Sequence, residues 1–429
     1  MSRSIMSEQR VLIVGGRIEN IRKAKEQGLG VVYLQQPGQF TPEHASLVDA
    51  ALLVDYTDWS VTEPLVAAAH RAYGFTSVAT TTEAGVEPAG RISDLLGLGG
   101  VSHEVAHLLR DKLSMRQHLA AAAPSVSVAA AEVGDRESLT GFGARHGYPF
   151  IVKPVDGIGS LGLQLVESPD QLDEVWETVT RLRHSDHQFA RFFPLERFLM
   201  EEYISGPELS VEAFTFEGRH VVVAVTEKLT YDNFVELGHV VPARITPADE
   251  AAVVACVTTF LDAVGVASGP SHTEVRLSER GPRVIESHNR PGGDRIRDLV
   301  EEATGFDIER YTVAWPGGGL PPLEERPAVR QAAATRFLAA EPGTVTAVEG
   351  REAARALEGV VDVDLPVEPG SVVRPLRSSW DRLGQVIAVA PDADAAVALC
   401  EKACATIRVG TTPHPEGSER AAGAADVAG

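Results

Sequence analysis

Two acidic residues stand at equal distance from Arg280, Glu274 before it and Glu286 after it. Residues 273–277 and 283–286 read as short strands, and residues 278–281 as the turn that joins them. In a regular antiparallel hairpin centred on Arg280 the carboxylates fall opposite each other on one face, with Cβ atoms about 4.5–5.5 Å apart. A sheet accepts two bare carboxylates at that spacing mainly when a cation lies between them. All-oxygen ligands so placed suit Mg2+ or Mn2+, with nucleotide phosphates filling the remaining positions. The competing readings are a solvated edge pair, or a register slip that sends the two to different faces.

The segments around the hairpin carry related chemistry. Directly after it, Arg290 is followed by Pro291, Gly292 and Gly293, a fixed cation beside bare backbone N–H groups. Such a set stabilises a phosphorylated or tetrahedral oxyanion species, although an arginine in a structural ion pair would look the same. Lys153 sits on the apolar run 150–154, which Pro154 stops, and a glycine-rich stretch follows at 156–162. Gly157, Gly159 and Gly162 free the backbone to approach phosphate oxygens. The lysine precedes the loop, so the P-loop order is not met, and a plain hairpin with a glycine turn is the alternative. Residues 200–208 form a strand that exits at Gly206-Pro207 and restarts at Glu208. Glu236-Leu237-Gly238-His239 is as weak in isolation, since a lone histidine is more often structural.

The rest of the chain reads as α/β and α+β segments in several domains. Short apolar strands at 11–14, 30–34, 50–54 and 77–80, with helices at 18–27 and 61–73, make residues 1–110 an open parallel α/β domain. Gly15-Gly16 is not a dinucleotide fingerprint. Glu83, just past a strand end, is a candidate contact residue. A helix is expected from His103 through Lys112 and Arg116 to Leu119. Strands follow at 163–166, 198–204, 208–216 and 220–226, then a helix at 250–264. The Pro/Gly-rich stretch 316–327 reads as a linker. Residues 330–410 form a last α/β piece with a helix at 392–408, and 411–429 read as a disordered tail.

Composition narrows the partners. Acids outnumber bases 60 to 39, for a net charge of −21, which argues against a nucleic-acid surface. An anionic ligand must then be met by a few local cations. Only six lysines occur among those 39 bases: Lys23, Lys25, Lys112, Lys153, Lys228 and Lys402. Coding bias accounts for the ratio but not for where they fall. The three cysteines form no C-x-x-C, and Cys400 and Cys404 lie one helical turn apart, as on a shared buried face. No stretch approaches the roughly 20 apolar residues of a membrane span, and a reducing, cytoplasmic location is expected.

In this order, the pieces resemble the ATP-grasp superfamily of carboxylate–amine ligases, nearest to the L-amino-acid ligases that join amino acids into dipeptides. The likeness runs from Val11 to about Arg408 and includes residues 335–338 and 382–387. It implies an N-terminal open α/β domain (1–110), an ATP-grasp domain (111–320, with lobes of about 111–200 and 201–320) and a C-terminal α/β extension (330–410). It implies that Lys112 and Lys153 touch the ATP phosphates and base edge, and that Gly157, Gly159, Ser160 and Gly162 belong to the loop closing over them. Glu201, Glu202, Tyr203 and Ile204 would be the hinge that reads adenine, and Glu208 would hold the ribose. Glu274 and Glu286 would carry Mg2+. Arg290, with Gly292 and Gly293, would stabilise the acyl phosphate, and Glu236 and His239 would face the amino-acid substrate. The family pattern is Glu-x-Asn-x-Arg, but here His288 stands two after Glu286 and the asparagine is displaced to Asn289. Either His288 or Asn289 ligates, or water fills in; Mn2+ tolerance is a consequence of a histidine ligand.

The implied reaction activates a carboxylate with ATP and joins it to an amine, so the partners are small carboxylates and amines, chiefly amino acids. Related ligases are often dimers, and a homodimer is compatible. Two other readings compete. One is a biotin-carboxylase-like enzyme, against which the chain holds no biotin-accepting Met-Lys-Met. The other is a non-catalytic ATP-binding regulator, which the presence of Glu274, Glu286 and Arg290 disfavours.

Overall fold

The computed structural model describes residues 9–184, 195–231 and 234–413. Residues 414–429 of the expected tail lie outside that set.

Strands β1 (Arg10–Val14), β2 (Gly30–Gln35), β3 (Ala50–Leu53) and β4 (Ser77–Ala79) form a parallel sheet in the order β3-β2-β1-β4. Val11 to Val14 are all buried because helices cover both faces of the sheet. One of these covering pieces comes from far along the chain: Val313 and Ala314, in the helix Ile308–Ala314, complete the cluster around Val11 and Ile13. The sheet's carboxyl ends, where Gly15 and residues 80–82 emerge, face the rest of the molecule.

The single helix expected from His103 is two, His103–Arg110 and Lys112–Ala122. Asp111 breaks the run. Its carboxylate caps the second helix by accepting from the Ser114 N–H at 2.7 Å, and the Lys112 N–H bonds the Val155 carbonyl at 3.1 Å. Strands β5 (Ala130–Glu132), β6 (Phe150–Pro154), β7 (Gln164–Val166) and β8 (Phe198–Glu202) form an antiparallel sheet, β5-β8-β6-β7. Phe150, Val152, Phe198 and Met200 pack one face against two helices. By the two-residue alternation, Lys153 and Glu201 emerge on the other face. The strand stops at Glu202 instead of running to 204, so Tyr203 and Ile204 leave the sheet.

The largest sheet starts with β9 (Glu208–Phe216), β10 (Arg219–Thr230), β11 (Glu236–Val241), β12 (Gly269–Ser278), β13 (Gly281–His288) and β14 (Ala332–Leu338). The last strands are β15 (Gly343–Glu349), β16 (Val360–Asp364), β17 (Val372–Val373), β18 (Gly384–Ala390) and β19 (Arg408–Thr412). Eight strands join in the order β13-β12-β9-β10-β11-β14-β18-β16. The C-terminal piece thus extends the main sheet through β11–β14 pairing. A small sheet, β17-β15-β19, lies beside it. The last helix ends at Thr406, and β19 occupies residues expected in the helix and the disordered tail. Cys400 is buried on that helix, with its Sγ 3.2 Å from the Ala334 carbonyl. No helix of the described residues is long and apolar enough to cross a membrane.

The β12–β13 hairpin differs from a regular one in an instructive way. Its near end pairs Ser278 with Gly281 and Val275 with Val284, so the turn centres between Glu279 and Arg280 and not on Arg280. In that register Glu274 would face Ile285, and Glu286 would point to the other face. A bulge at Ile285 shifts the register by one, and beyond it Glu274 pairs with Glu286.

Candidate active site

A cavity of about 600 Å³ opens where the three larger units meet. The second sheet and the helix before it supply Lys112, Lys153, Gly157, Gly159, Ser160, Glu201, Glu202, Tyr203 and Ile204. The main sheet supplies Glu208, Lys228, Glu236, His239, Glu274, Glu286 and His288, and its outgoing loop Arg290 and Gly293. Gly162 and Gly292 lie behind the wall. A Cβ on Gly292 would stand 2.9 Å from His272 Nδ1 and 3.1 Å from Glu212 Oε2, so the glycine lets the Arg290 loop lie against that buried pair. Gly159 takes φ +61°, and the Trp380 indole from the C-terminal segment sits over it, 3.2 Å from where a Cβ would be.

Three of the six lysines reach the cavity, and each meets a carboxylate. Lys112 Nζ is 2.9 Å from Glu286 Oε2 and donates to the Gly157 carbonyl at 2.8 Å. Lys153 Nζ is 2.5 Å from Glu201 Oε1, while Arg116 Nε donates to Glu201 Oε2 at 3.0 Å from beneath. Lys228, from β10, lies 2.5 Å from Glu274, 2.9 Å from Glu208 and 3.7 Å from Glu236. Burial alone would raise the carboxyl of Glu274, but Lys228, and then His272, outweigh it and hold it down at about 2. Glu286 is buried too, yet Lys112 and His288 hold it well below the usual carboxylate range. Both hairpin carboxylates are therefore ionised, opposed and turned to one space.

Their chemistry fits a hard divalent cation. Among the described residues no three His, Cys, Asp or Glu side chains converge as a closed metal cage. Two carboxylates with an open side are what Mg2+ takes when phosphates and water complete its shell. Asn289 is not among the residues that line this cavity. Its buried Oδ1 has no hydrogen-bond partner and the residue borders a separate small hollow with Val78 and Gly269. The bulge falls at Ile285, before Glu286. His288 does face the cavity, with Nε2 3.3 Å from Glu286 Oε1 and Nδ1 2.9 Å from Glu83 Oε2.

Glu83 connects the N-terminal sheet to this site. Arg290 Nε donates to Glu83 Oε2 at 2.7 Å, and Arg290 also donates to the Pro291 carbonyl at 2.9 Å. Against its burial, His288 and Arg290 keep Glu83 ionised, well below its ordinary value. His239, on β11, is fully buried, with Nε2 3.2 Å from Asp294 Oδ2. Arg382 grips the same Asp294 through two bonds of 2.9 and 2.6 Å. Burial would raise Asp294, but His239 and Arg382 depress it strongly.

Several lining residues carry no local sequence signal. Arg276 stacks on Tyr203 and Phe234, at 5.6 and 5.5 Å from the ring centroids, while donating to Glu208 at 2.9 Å. Ser379, next to Trp380 in the C-terminal segment, bonds the Glu236 carboxylate. Arg17, Thr81, Thr82, Arg297 and Glu309 also line the cavity. Arg276, on the hairpin, and Arg382, in residues 382–387, fall in stretches that carry the family resemblance.

Comparison with known proteins agrees with this architecture. Residues 146–298 match an ATP-grasp domain, residues 21–100 an ATP-grasp N-terminal domain, and residues 336–412 the L-amino acid ligase C-terminal domain 2. An uncharacterized protein, y4rH, of Sinorhizobium fredii is 29% identical over 81% of this chain and 70% of its own length. Human carnosine synthase 1 is 29% identical over 42% of this chain, which spans only 22% of that synthase. The crystal structure of an L-amino acid ligase from Bacillus licheniformis superposes with a TM-score of 0.78 at 21% identity, covering 95% of this chain and 99% of that one. The fold is thus the ATP-grasp fold with its N-terminal domain and a C-terminal extension.

Proposed function

We propose that this chain, an ATP-grasp carboxylate–amine ligase close to the L-amino-acid ligases, joins the carboxylate of one amino acid to the amine of another. The observation that carries this reading is the opposed, ionised pair Glu274 and Glu286 facing the same cavity as Arg290. ATP-grasp enzymes work with ATP and a divalent metal. Here Glu274 and Glu286 would hold the metal, which when bound neutralises phosphate charge.

A free carboxylate is a poor acyl donor, because its leaving group would be oxide. Phosphoryl transfer from ATP gives an acyl phosphate, whose leaving group is phosphate; the amine then attacks and phosphate departs. Such transfer needs positioning and charge neutralisation more than covalent help. Lys112 and Lys153 are suited to the nucleotide phosphates, the glycine-rich loop to covering them, and residues 201–204 with Glu208 to the nucleoside. Arg290, held by Glu83, is suited to the acyl oxygens. Glu236 and His239 would face the amino acid. Phosphate release across pairs of amino acids and amines, with mass detection of the coupled product, tests the reading. Arg290→Ala is expected to lower coupling by about 10²–10³-fold. No product from any pair, with ATP turnover unchanged in Arg290→Ala, would end it.

Two further outcomes are expected. Lys153→Arg should lose most activity despite keeping its charge. Glu201 already accepts from Arg116 on one oxygen and meets Lys153 at 2.5 Å on the other, which leaves no room for a planar fork. Near-normal turnover would remove that reasoning. His288→Asn should shift the Mn2+ to Mg2+ activity ratio toward Mg2+; identical metal profiles in variant and wild type would exclude His288 from the metal shell.

A further inference from the structure

The cations that line the cavity are not equally free. Arg382 uses all three guanidinium nitrogens, two on Asp294 and Nε on the Ser379 carbonyl at 2.8 Å. Arg276 is bound to Glu208 and to the edge of residues 203–204. Lys112, Lys153 and Lys228 each hold a carboxylate. Arg297 differs. It is the second residue of the helix Ile296–Thr304, just beyond the Arg290 loop, and its side chain is 16% exposed. Its Nε lies 3.0 Å from Glu309 Oε1 but finds no aligned hydrogen-bond acceptor. Its terminal nitrogens bond no other described residue. Arg17 NH2 takes the same Glu309 oxygen at 2.9 Å, and Lys23 takes the other at 3.0 Å. One carboxylate therefore serves three cations. Burial lowers the Arg297 guanidinium below its ordinary value, and although Glu309 and Asp298 oppose this, Arg17 and Arg295 add to it. Thr81 and Thr82, at the carboxyl end of the N-terminal sheet, line the same cavity.

We propose that Arg297, with Arg17 beside it, binds the free carboxylate of the acceptor amino acid. The acceptor's amine must reach an acyl phosphate held near Arg290, and its own carboxylate must not be activated. A half-buried guanidinium with unused parallel donors, on the helix that follows the Arg290 loop, meets both needs. The acceptor class is then an α-amino acid with an unblocked carboxyl group, and not a simple amine. This rests on the ligase reading above.

Two measurements separate them. Hydroxylamine, supplied in place of the acceptor, traps an activated donor as its hydroxamate; no hydroxamate from any of the twenty amino acids would sink the ligase reading itself. With a donor that is trapped, kcat/KM is compared between each acceptor amino acid and its carboxamide. The acid should be preferred by at least about tenfold, the worth of a charge-assisted pair. In Arg297→Gln that preference should collapse through a rise in acceptor KM, with the KM for ATP unchanged, and Arg297→Lys should restore part of it. A wild-type preference near one overturns the proposal. So does a preference that survives Arg297→Gln, or a loss that follows the donor KM instead.

Discussion

Lys228→Met is expected to destabilise the fold by about 3–5 kcal/mol at neutral pH, because it strands buried carboxylates without a counter-charge. Lys228 is 3% exposed on its side chain and faces Glu274, Glu208 and Glu236 together. Methionine keeps the length of the stem, so the loss is electrostatic. Glu208 retains Arg276 at 2.9 Å, Glu236 retains Ser379, and among the described residues Glu274 retains only His272 at 3.4 Å, so Glu274 is the group most exposed to the change. In the wild type Glu274 titrates at about 2. A carboxyl depressed from its usual value near 4.3 adds stability above that value, and the gain fades as pH falls toward the folded pKa. Lys228 is raised, so its own contribution is full below about 10.4 and fades as pH rises beyond. The gap between wild type and variant should therefore be a plateau through neutral pH. On the acid side it should narrow from about pH 4.3 toward 2. Urea unfolding of both proteins across that range measures it; a gap below about 1 kcal/mol would mean the cluster relaxes or hydrates without the lysine.

What the sequence discloses here, and what it hides, follows from how local each cause is. Lys153 and Glu201 are legible because strand alternation alone puts them on the face away from Phe150 and Met200. Glu274 and Glu286 are legible as a pair, yet the bulge at Ile285 that actually opposes them is not, since nothing in Val284-Ile285-Glu286 marks an extra residue. The break at Asp111 has a visible capping residue, but the long helical run on either side masks it, and a bond to Val155 on another element settles it. The join of β11 to β14, across some ninety residues of sequence, depends on non-local pairing that no window of sequence contains. Arg17, Arg297 and Glu309 meet for the same reason, brought together when the helix Ile308–Ala314 docks on the N-terminal sheet.

Glu286→Gln is expected to cut kcat by about 10³-fold, equivalent to about 4 kcal/mol of transition-state stabilisation. The amide is nearly isosteric, so the register Glu274–Glu286 and the bulge should survive. What changes is charge at three points. One of the two opposed carboxylates becomes neutral, and a metal held by the pair would lose an anionic oxygen. Lys112, 2.9 Å away, loses the partner that keeps it fixed against the Gly157 carbonyl, and with it the position proposed for it at the nucleotide phosphates. His288, 3.3 Å from Glu286, is left to Glu83 alone and competes with Arg290 for it. These effects converge on the step that moves phosphate, so the fall should appear in kcat, with a higher Mg2+ requirement and a smaller change in nucleotide affinity. Single-turnover hydroxamate formation at increasing Mg2+ separates the two components. If the variant stays within about tenfold of wild type at saturating Mg2+, Glu286 is an ion-pair partner for Lys112 and not a metal ligand.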